Sequence, residues 1–387
     1  MKILVELTYY RPHTSGLTIY AERLAKALVQ KGHHVTILTS QYDPMLPDEE
    51  WLDGVQIIRV PVLCRISKGV IMPKIGWLAT QLIQSHDAVL LHLPQFDAAG
   101  FAIRGRLFKK PTVITYHCDL KMPKGLLSWA ANQTVTALNH LAGLFTHRIV
   151  TYTQDYADHS KLLNRFRHKI SIIDPPVVIP EISTKAAEVY RHRVLSGENK
   201  FPLIGMAARF ATEKGIEVLL SSMKTVISRY PEAQVWFAGP YENIYGEIEY
   251  FKRLIPEIRK LEKKGNWNFL GLLNPEEMGA FYRNIDLLVI PSLNSTEAFG
   301  LVQIEAMLNG VPVIASDLPG VRQPVLRHQM GEIIPIGDDA ALANSIFSVI
   351  ENKNNFTYLP EQLKQQYSSE RVAERYENLF EEIRSEI

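Results

Sequence analysis

Two glutamates eight positions apart, Glu297 and Glu305, stand in the most chemically suggestive stretch of the chain, residues 291–317. A polar loop at 294–296 leads to Glu297, then to Ala298-Phe299-Gly300-Leu301 and an apolar run that Gly310 closes. Leu301, Ile304, Ala306, Met307 and Leu308 recur at helical spacing, which predicts a helix after Phe299 that carries Glu305. Glu297 falls in the turn before that helix and Glu305 on it, eight positions further, about two turns or roughly 12 Å at the helical rise, with both near one side. The unpaired N–H groups of a helix start, beside a glycine that allows close approach, attract phosphate. Carboxylates on either side of an anion site suit a molecule with hydroxyls flanking a diphosphate. A nucleotide diphosphate sugar is such a molecule.

Three further loops carry polar groups of matching kind. Arg209 and Lys214 lie five apart in Ala207-Ala208-Arg209-Phe210-Ala211-Thr212-Glu213-Lys214-Gly215. A guanidinium fork and an ammonium point charge there can converge on one pyrophosphate. Gly16 closes the loop Tyr9-Tyr10-Arg11-Pro12-His13-Thr14-Ser15 ahead of a helix, where a backbone without Cβ can approach phosphate. His117 ends a β-rich run and is followed by Cys118 and Asp119, and His92 ends the preceding run. Neither the dinucleotide fingerprint GxGxxG nor the P-loop GxxxxGK[ST] occurs.

These loops need strands and helices to place them. Short apolar strands are expected at 3–5, 35–38, 55–60, 88–93, 112–116 and 148–152, with helices at 20–31 and 126–144 between them. The stiff stretch 174–180 interrupts the alternation. Strands then resume at 203–206, 234–238, 267–270, 287–290 and 311–315, with helices at 215–229, 247–264 and 275–283. Pro256 favours a kink or break within the second of these. The expected architecture is α/β, two Rossmann-like doubly wound domains facing across a cleft. Residues 1–178 form the first and 179–362 the second, and a C-terminal helix at 363–387 crosses back. Ligands of such sheets bind beyond the carboxyl ends of the strands, where every loop above falls.

Composition narrows the class. With 387 residues, 46% hydrophobic and 21% charged, the chain can bury two cores. No apolar run is long enough to span a bilayer, and none near the start has signal-peptide form. Two cysteines, Cys64 and Cys118, exclude a disulfide framework and fit a cytoplasmic setting. Residues 1–180 hold 20 Lys/Arg against 13 Asp/Glu, a net +7, and the remainder 22 against 28, a net −6. The basic half is therefore expected to meet something anionic. The acidic second half and the lack of a known module argue against nucleic acid.

Taken in order, the motifs resemble those of a GT-B glycosyltransferase of the retaining family 4 group, over nearly the whole chain. Glu297 and Glu305 are similar to its E-x7-E pair, including the intervening Phe-Gly-Leu. Arg209 and Lys214-Gly215 are similar to its basic loop, with Ala208 where glycine is commoner. The loop ending at Gly16, the Lys31-Gly32-His33-x-Val35 helix end, Thr115-Tyr116-His117, Gly239, Gly271 and Gly310-Val311-Pro312-Val313 complete the likeness. Asp174-Pro175-Pro176 departs from the usual Asn-Gly between domains, and Gln323 stands where Glu is common.

The resemblance implies roles. Gly16, Arg209 and Lys214 would hold the donor pyrophosphate, and Glu297 with the amides of Phe299, Gly300 and Leu301 the donor sugar and diphosphate. Glu305 would take the ribose, the backbone near Leu273 the base, and His117 would sit by the donor sugar. The donor would be a UDP- or GDP-sugar and the acceptor a glycan or lipid-linked molecule bound by the first domain. No Asp-x-Asp motif occurs, so neither metal nor other cofactor is expected. Arg104, Arg106, Lys109, Lys110, Lys121, Lys124, Lys161, Arg165, Arg167 and Lys169 lie among Phe101, Leu107, Phe108 and residues 126–129. Such a mixture suits attachment to an anionic membrane surface on the cytoplasmic side. Two alternatives share the fold: a nucleotide-sugar epimerase, and a non-catalytic nucleotide-sugar-binding accessory subunit.

Overall fold

The computed structural model describes residues 1–66, 69–120, 126–196, 198–353, 356 and 360–387, with backbone alone at 66 and 126–131. It divides into two compact units, Met1–Val177 with Gln366–Ile387, and Val178–Gln365.

Along the first unit run β1 (Lys2–Glu6), α1 (Gly16–Gln30), β2 (His34–Gln41), β3 (Glu49–Leu52), β4 (Val55–Pro61), β5 (Cys64–Ile66), β6 (Gly69–Ile71), α2 (Ile75–Ser85), β7 (Ala88–Leu93), α3 (Ala98–Leu107), β8 (Thr112–Tyr116), α4 (Leu126–Phe145), β9 (Arg148–Thr151), α5 (Gln154–His159) and β10 (Ile170–Ile172). Eight strands pair in the order β10-β9-β8-β7-β1-β2-β4-β3. All pairings are parallel except β3 with β4. The strands explain the arrangement: β7 is buried at every position and β1 from Ile3 onward, so both faces must be covered by helices. Strand order reverses between β1 and β7, which makes their carboxyl ends the binding position of this sheet. The edge strand β3 and the β5–β6 hairpin were not expected from the pattern, because each is only three or four residues long.

The second unit contains α6 (Thr184–Leu195), β11 (Leu203–Ala207), α7 (Ile216–Arg229), β12 (Gln234–Ala238), α8 (Ile248–Lys263), β13 (Trp267–Gly271), α9 (Pro275–Asn284), β14 (Leu287–Ile290), α10 (Leu301–Leu308), β15 (Val313–Ser316), α11 (Gln323–His328), β16 (Gly331–Ile334) and α12 (Asp339–Glu351). Its six strands are all parallel, in the order β13-β12-β11-β14-β15-β16, and the reversal falls between β11 and β14. The helix α8 runs on through Pro256 instead of breaking there. Tyr250, Leu254 and Ile258 bury one face of α8, and that burial outweighs the missing backbone donor.

The chain then passes through α13 (Pro360–Tyr367) to α14 (Ser369–Glu386), which belongs to the first unit and lies along α1. There the Tyr376 hydroxyl is 2.8 Å from that of Tyr20 and 2.7 Å from Thr115 Oγ1, all three buried. The segment 366–387 carries 3 basic and 6 acidic residues, so it lowers the +7 of the first half to +4 for the unit. Its glutamates pair with that half directly, Glu377 with Lys31 at 3.1 Å and Glu386 with Arg148 at 2.5 Å. The charge contrast read from the linear sequence is therefore partly cancelled by folding.

Candidate functional site

In the second unit the loops after β11 and β14 meet at the switch point. Leu293 donates its N–H to the Glu213 carbonyl at 2.9 Å and ties them together. Gly215 has φ +69°, and a Cβ there would collide with the Pro291 carbonyl oxygen, so only glycine lets the first loop lie on the second. That approach brings Lys214 Nζ to 2.5 Å from Glu297 Oε2. Both side chains remain partly open, 23% and 16% exposed, so the pair is reachable from solvent. Arg209 lies 2.5 Å from Glu213. Burial pushes the Glu213 carboxyl up, but the Arg209 guanidinium, its own backbone N–H and Lys214 outweigh this and leave it below the usual range. A small recess runs between Ala207, Ala208, Lys214, Ser292, Glu297 and Val302. The buried Ser292 Oγ has no partner among the described residues.

The approach to α10 differs from the expected two-turn spacing. The helix starts only at Leu301, after Gly300 in a left-handed conformation at φ +75°. Glu297 stands, as expected, ahead of the helix, in a turn built by Asn294, whose Oδ1 accepts from Thr296 N–H at 3.1 Å and Oγ1 at 2.6 Å. The Asn294 carbonyl accepts from Glu297 N–H at 3.2 Å. Glu305 lies one turn into the helix, 8% exposed, and accepts from the Tyr282 hydroxyl at 2.9 Å. The two carboxylates thus have separate settings, one by an ammonium and one by a phenol. Phe299 and Gly300 are buried, and the wholly buried Gln303 pins their turn by donating to the Phe299 and Val321 carbonyls at 2.5 and 2.8 Å. Leu273 is half-buried between β13 and the capping box of Asn274 and Glu277 that starts α9.

The first unit holds Gly16 and His117. Gly16 is the first residue of α1, capped by the Ser15 side chain, and a Cβ there would meet nothing within 4 Å. His117 follows β8, its N–H donating to the Leu93 carbonyl at 3.0 Å. Its ring is 8% exposed, with Nε2 at 2.8 Å from His92 Nδ1 and Nδ1 against the Tyr152 hydroxyl. Tyr20 of α1 packs edge-on at 5.1 Å. Burial, and then His92, hold the His117 imidazole well below its usual range, and burial alone brings His92 down to about 3. Both rings are therefore neutral at physiological pH.

The expected residues thus form two groups. Arg209, Lys214, Leu273, Glu297, Phe299, Gly300, Leu301 and Glu305 belong to the second unit, and Gly16 and His117 to the first. Ser292, Gln303, Tyr282 and Tyr152 were not anticipated. Gln303 had a signal, a lone amide inside an apolar helical run; the others had none. Of the basic and apolar cluster, Phe101 is core and Lys169 caps α4 by donating to the carbonyls of Gly143, Leu144 and Thr146. Lys121 and Lys124, and the side chains at 126–129, lie outside the described residues. Among the described residues no three His, Cys, Asp or Glu side chains are grouped to hold a metal ion, and no helix is long and apolar enough to cross a membrane.

Residues 191–368 match the family described as Glycosyl transferases group 1, and residues 14–179 match Glycosyltransferase Family 4. An uncharacterized glycosyltransferase of Methanocaldococcus jannaschii is 24% identical over 86% of this chain and 84% of its own length. The phosphatidyl-myo-inositol mannosyltransferase of Mycobacterium leprae is 26% identical over 87% and 84%. Among solved structures, Anabaena Alr3699/HepE in complex with UDP-glucose has a similar fold, with a TM-score of 0.78 at 19% identity over 99% of this chain and 100% of that one.

Proposed function

Because the chain is a GT-B glycosyltransferase of group 1, family 4-like, we propose that it transfers a hexose-type sugar from a nucleotide diphosphate sugar, with retention, to a glycan or lipid-linked acceptor. The observation that carries this reading is the Lys214–Glu297 pair at the mouth of the second unit's switch point. An ammonium there neutralises diphosphate, and the carboxylate beside it accepts from sugar hydroxyls. Arg209 adds a second cation, and Glu305 would take the ribose hydroxyls. The backbone near Leu273 would hold the base, and the Phe299, Gly300 and Leu301 amides lie at a helix start that favours anions. Gly16, with open space at its missing side chain, suits close approach to the same diphosphate. His117 would sit by the donor sugar.

In the transfer the bond between the sugar anomeric carbon and the diphosphate oxygen breaks, and its electron pair leaves with the nucleoside diphosphate. The acceptor oxygen bonds to the same face of that carbon, and its proton passes to the leaving oxygen. Lys214, Arg209 and the helix start stabilise the departing charge, so this chain's own cations suffice without a metal. UDP- and GDP-sugars both fit. UDP is supported by the ligand of the similar Anabaena structure, and a lipid-linked acceptor by the mycobacterial relative's name. The test is a transfer and thermal-shift screen with UDP- and GDP-sugars. We expect Glu297→Gln to lower kcat by roughly 10²–10³ while nucleotide affinity stays within a few-fold. Undiminished turnover would remove Glu297 from the mechanism, and donor isomerisation without transfer would make the chain an epimerase. Donor binding with neither reaction would make it an accessory subunit.

Peripheral attachment of the first unit to an anionic, cytoplasmic-side membrane surface belongs to the same proposal. It is supported by α3, where Leu107 is 72% exposed beside Arg106, Lys109 and Lys110, and by α4, where Leu144 is also exposed. Co-sedimentation with anionic liposomes at physiological salt should retain the protein. Retention by neutral liposomes alone, or by none, would overturn it.

A further inference from the structure

At the amino ends of β1, β2 and β4, the first unit has a recess of about 200 Å³ that none of the roles above uses. Strand register explains its make-up. Thr36 of β2 pairs with Gln56 of β4, and Gln56 pairs with Trp51 of β3, so the three side chains form one row on one face of the sheet. Lys2 pairs with His34 beside them on the same face, and Ser85 and His86 at the end of α2 complete the wall. The floor is fixed by bonds. His86 Nδ1 donates to the Leu82 carbonyl at 2.7 Å, and the one Thr36 hydroxyl proton lies between two acceptors, His86 Nε2 at 2.9 Å and Gln56 Oε1 at 3.1 Å. Gln56 Nε2 donates to Glu49 at 2.6 Å. Against this ordered polar floor, the Trp51 indole is 66% exposed.

We propose that this recess binds one sugar ring of a glycan, stacked on Trp51. An indole face left in water beside bonded hydroxyl, amide and imidazole groups and the exposed Lys2 side chain matches a ring with apolar C–H faces and a polar rim. The volume is below the ~300–1,000 Å³ of clefts that take drug-sized ligands, which suits a single monosaccharide. The eight residues of β2 put it about 25 Å from the carboxyl ends where Gly16 and His117 lie, so it is a separate site. Glu49 and Glu50 on the edge strand oppose the alternative, pairing of that edge with a second copy. The choice of a sugar over another small polar ring rests on the glycosyl-transfer reading.

The test is a titration of the full-length protein, in excess UDP, with methyl glycosides of glucose, mannose, galactose and N-acetylglucosamine. Proton–nitrogen NMR reads the indole N–H signals of the five tryptophans. At least one glycoside should shift the Trp51 signal saturably. Trp51→Ala should weaken that binding about tenfold and Trp51→Phe only a few-fold. Turnover on a small soluble acceptor should be unchanged in both variants. If no glycoside moves the Trp51 signal, if Trp51→Ala binds like the wild type, or if that variant alters self-association instead, the site is overturned. Sugar binding is read without transfer, so absence of any glycosyltransferase activity would sink the function and leave this result legible.

Discussion

The two switch points of this molecule are built from opposite materials. In the second unit the groups are charged and reachable: Lys214 against Glu297, and Arg209 against Glu213. In the first they are neutral and buried: His117, His92 and Tyr152 bonded together, with Tyr20, Thr115 and Tyr376 bonded behind them. The glycines differ in the same sense. Gly215 is enclosed by the Pro291 backbone, while Gly16 has open space where a side chain would be. Partly exposed cations whose counter-charges a phosphate can displace suit the capture of an anion. A fixed neutral network suits the holding of one ring in one orientation, at the cost of burying polar groups that must all find partners.

The largest effect should come from the enclosed glycine. Gly215→Ala forces a non-glycine residue to positive φ and drives Cβ into the Pro291 carbonyl. We expect a loss of about 2–4 kcal/mol and a fall in Tm of roughly 5–15 °C. Donor affinity should be lost with it, because Lys214 is carried by the same turn. A variant that melts like the wild type would show that the two loops do not depend on this contact.

The open glycine should separate binding from folding. Gly16→Ala adds a methyl that meets no protein atom within 4 Å, at a helical position where alanine is favoured. Tm should stay level or rise slightly, while donor affinity falls about tenfold if diphosphate approaches this turn. Unchanged affinity would remove Gly16 from the donor site and leave the contrast between the glycines a structural one.

Much of this was legible in the sequence, and the remainder failed for identifiable reasons. Buried strands such as Ala88–Leu93 and helices ended by Gly32 announce an α/β chain with two sheets. The grouping of Lys214 with Glu297 was readable only as two motifs, since a sequence separation of 83 carries no mark of their contact. Helical periodicity after Leu301 was real and Glu297 was rightly read into the turn before it, but a helical rise cannot measure the step from that turn to Glu305. Asn294 and Gly300 hold that segment in a turn, and a left-handed glycine ends any helical measure. Tyr376 meets Tyr20 across 356 residues, a tertiary choice that local pattern cannot encode. The charge asymmetry was correct as a count and overstated as a surface, because α14 brings acids onto the basic unit and reduces its excess to +4.

The smallest effect concerns acids at the first switch point. Glu6 ends β1 wholly buried, and burial, with Asp97 nearby, raises its carboxyl well above the usual range against the Gln95 bond that lowers it. Asp97, just ahead of α3, is pushed up to about 6 by burial. A carboxyl whose folded value is raised binds its proton more tightly in the native state than in the unfolded chain. Its stabilising contribution is therefore complete below the unfolded value of about 4 and lost as pH rises through about 6. Other carboxyls, such as Glu22 and Glu213, are lowered and work in the opposite direction, so the sign must be read as a difference between proteins. Between pH ~4 and ~7 the Tm of wild type should fall relative to that of Asp97→Asn, whose amide cannot ionise and also removes a charge from beside Glu6. Parallel Tm curves across that range would show that Asp97 ionises in the folded unit as freely as in the unfolded chain, and the first switch point would then be less distinct from the charged second one than its geometry implies.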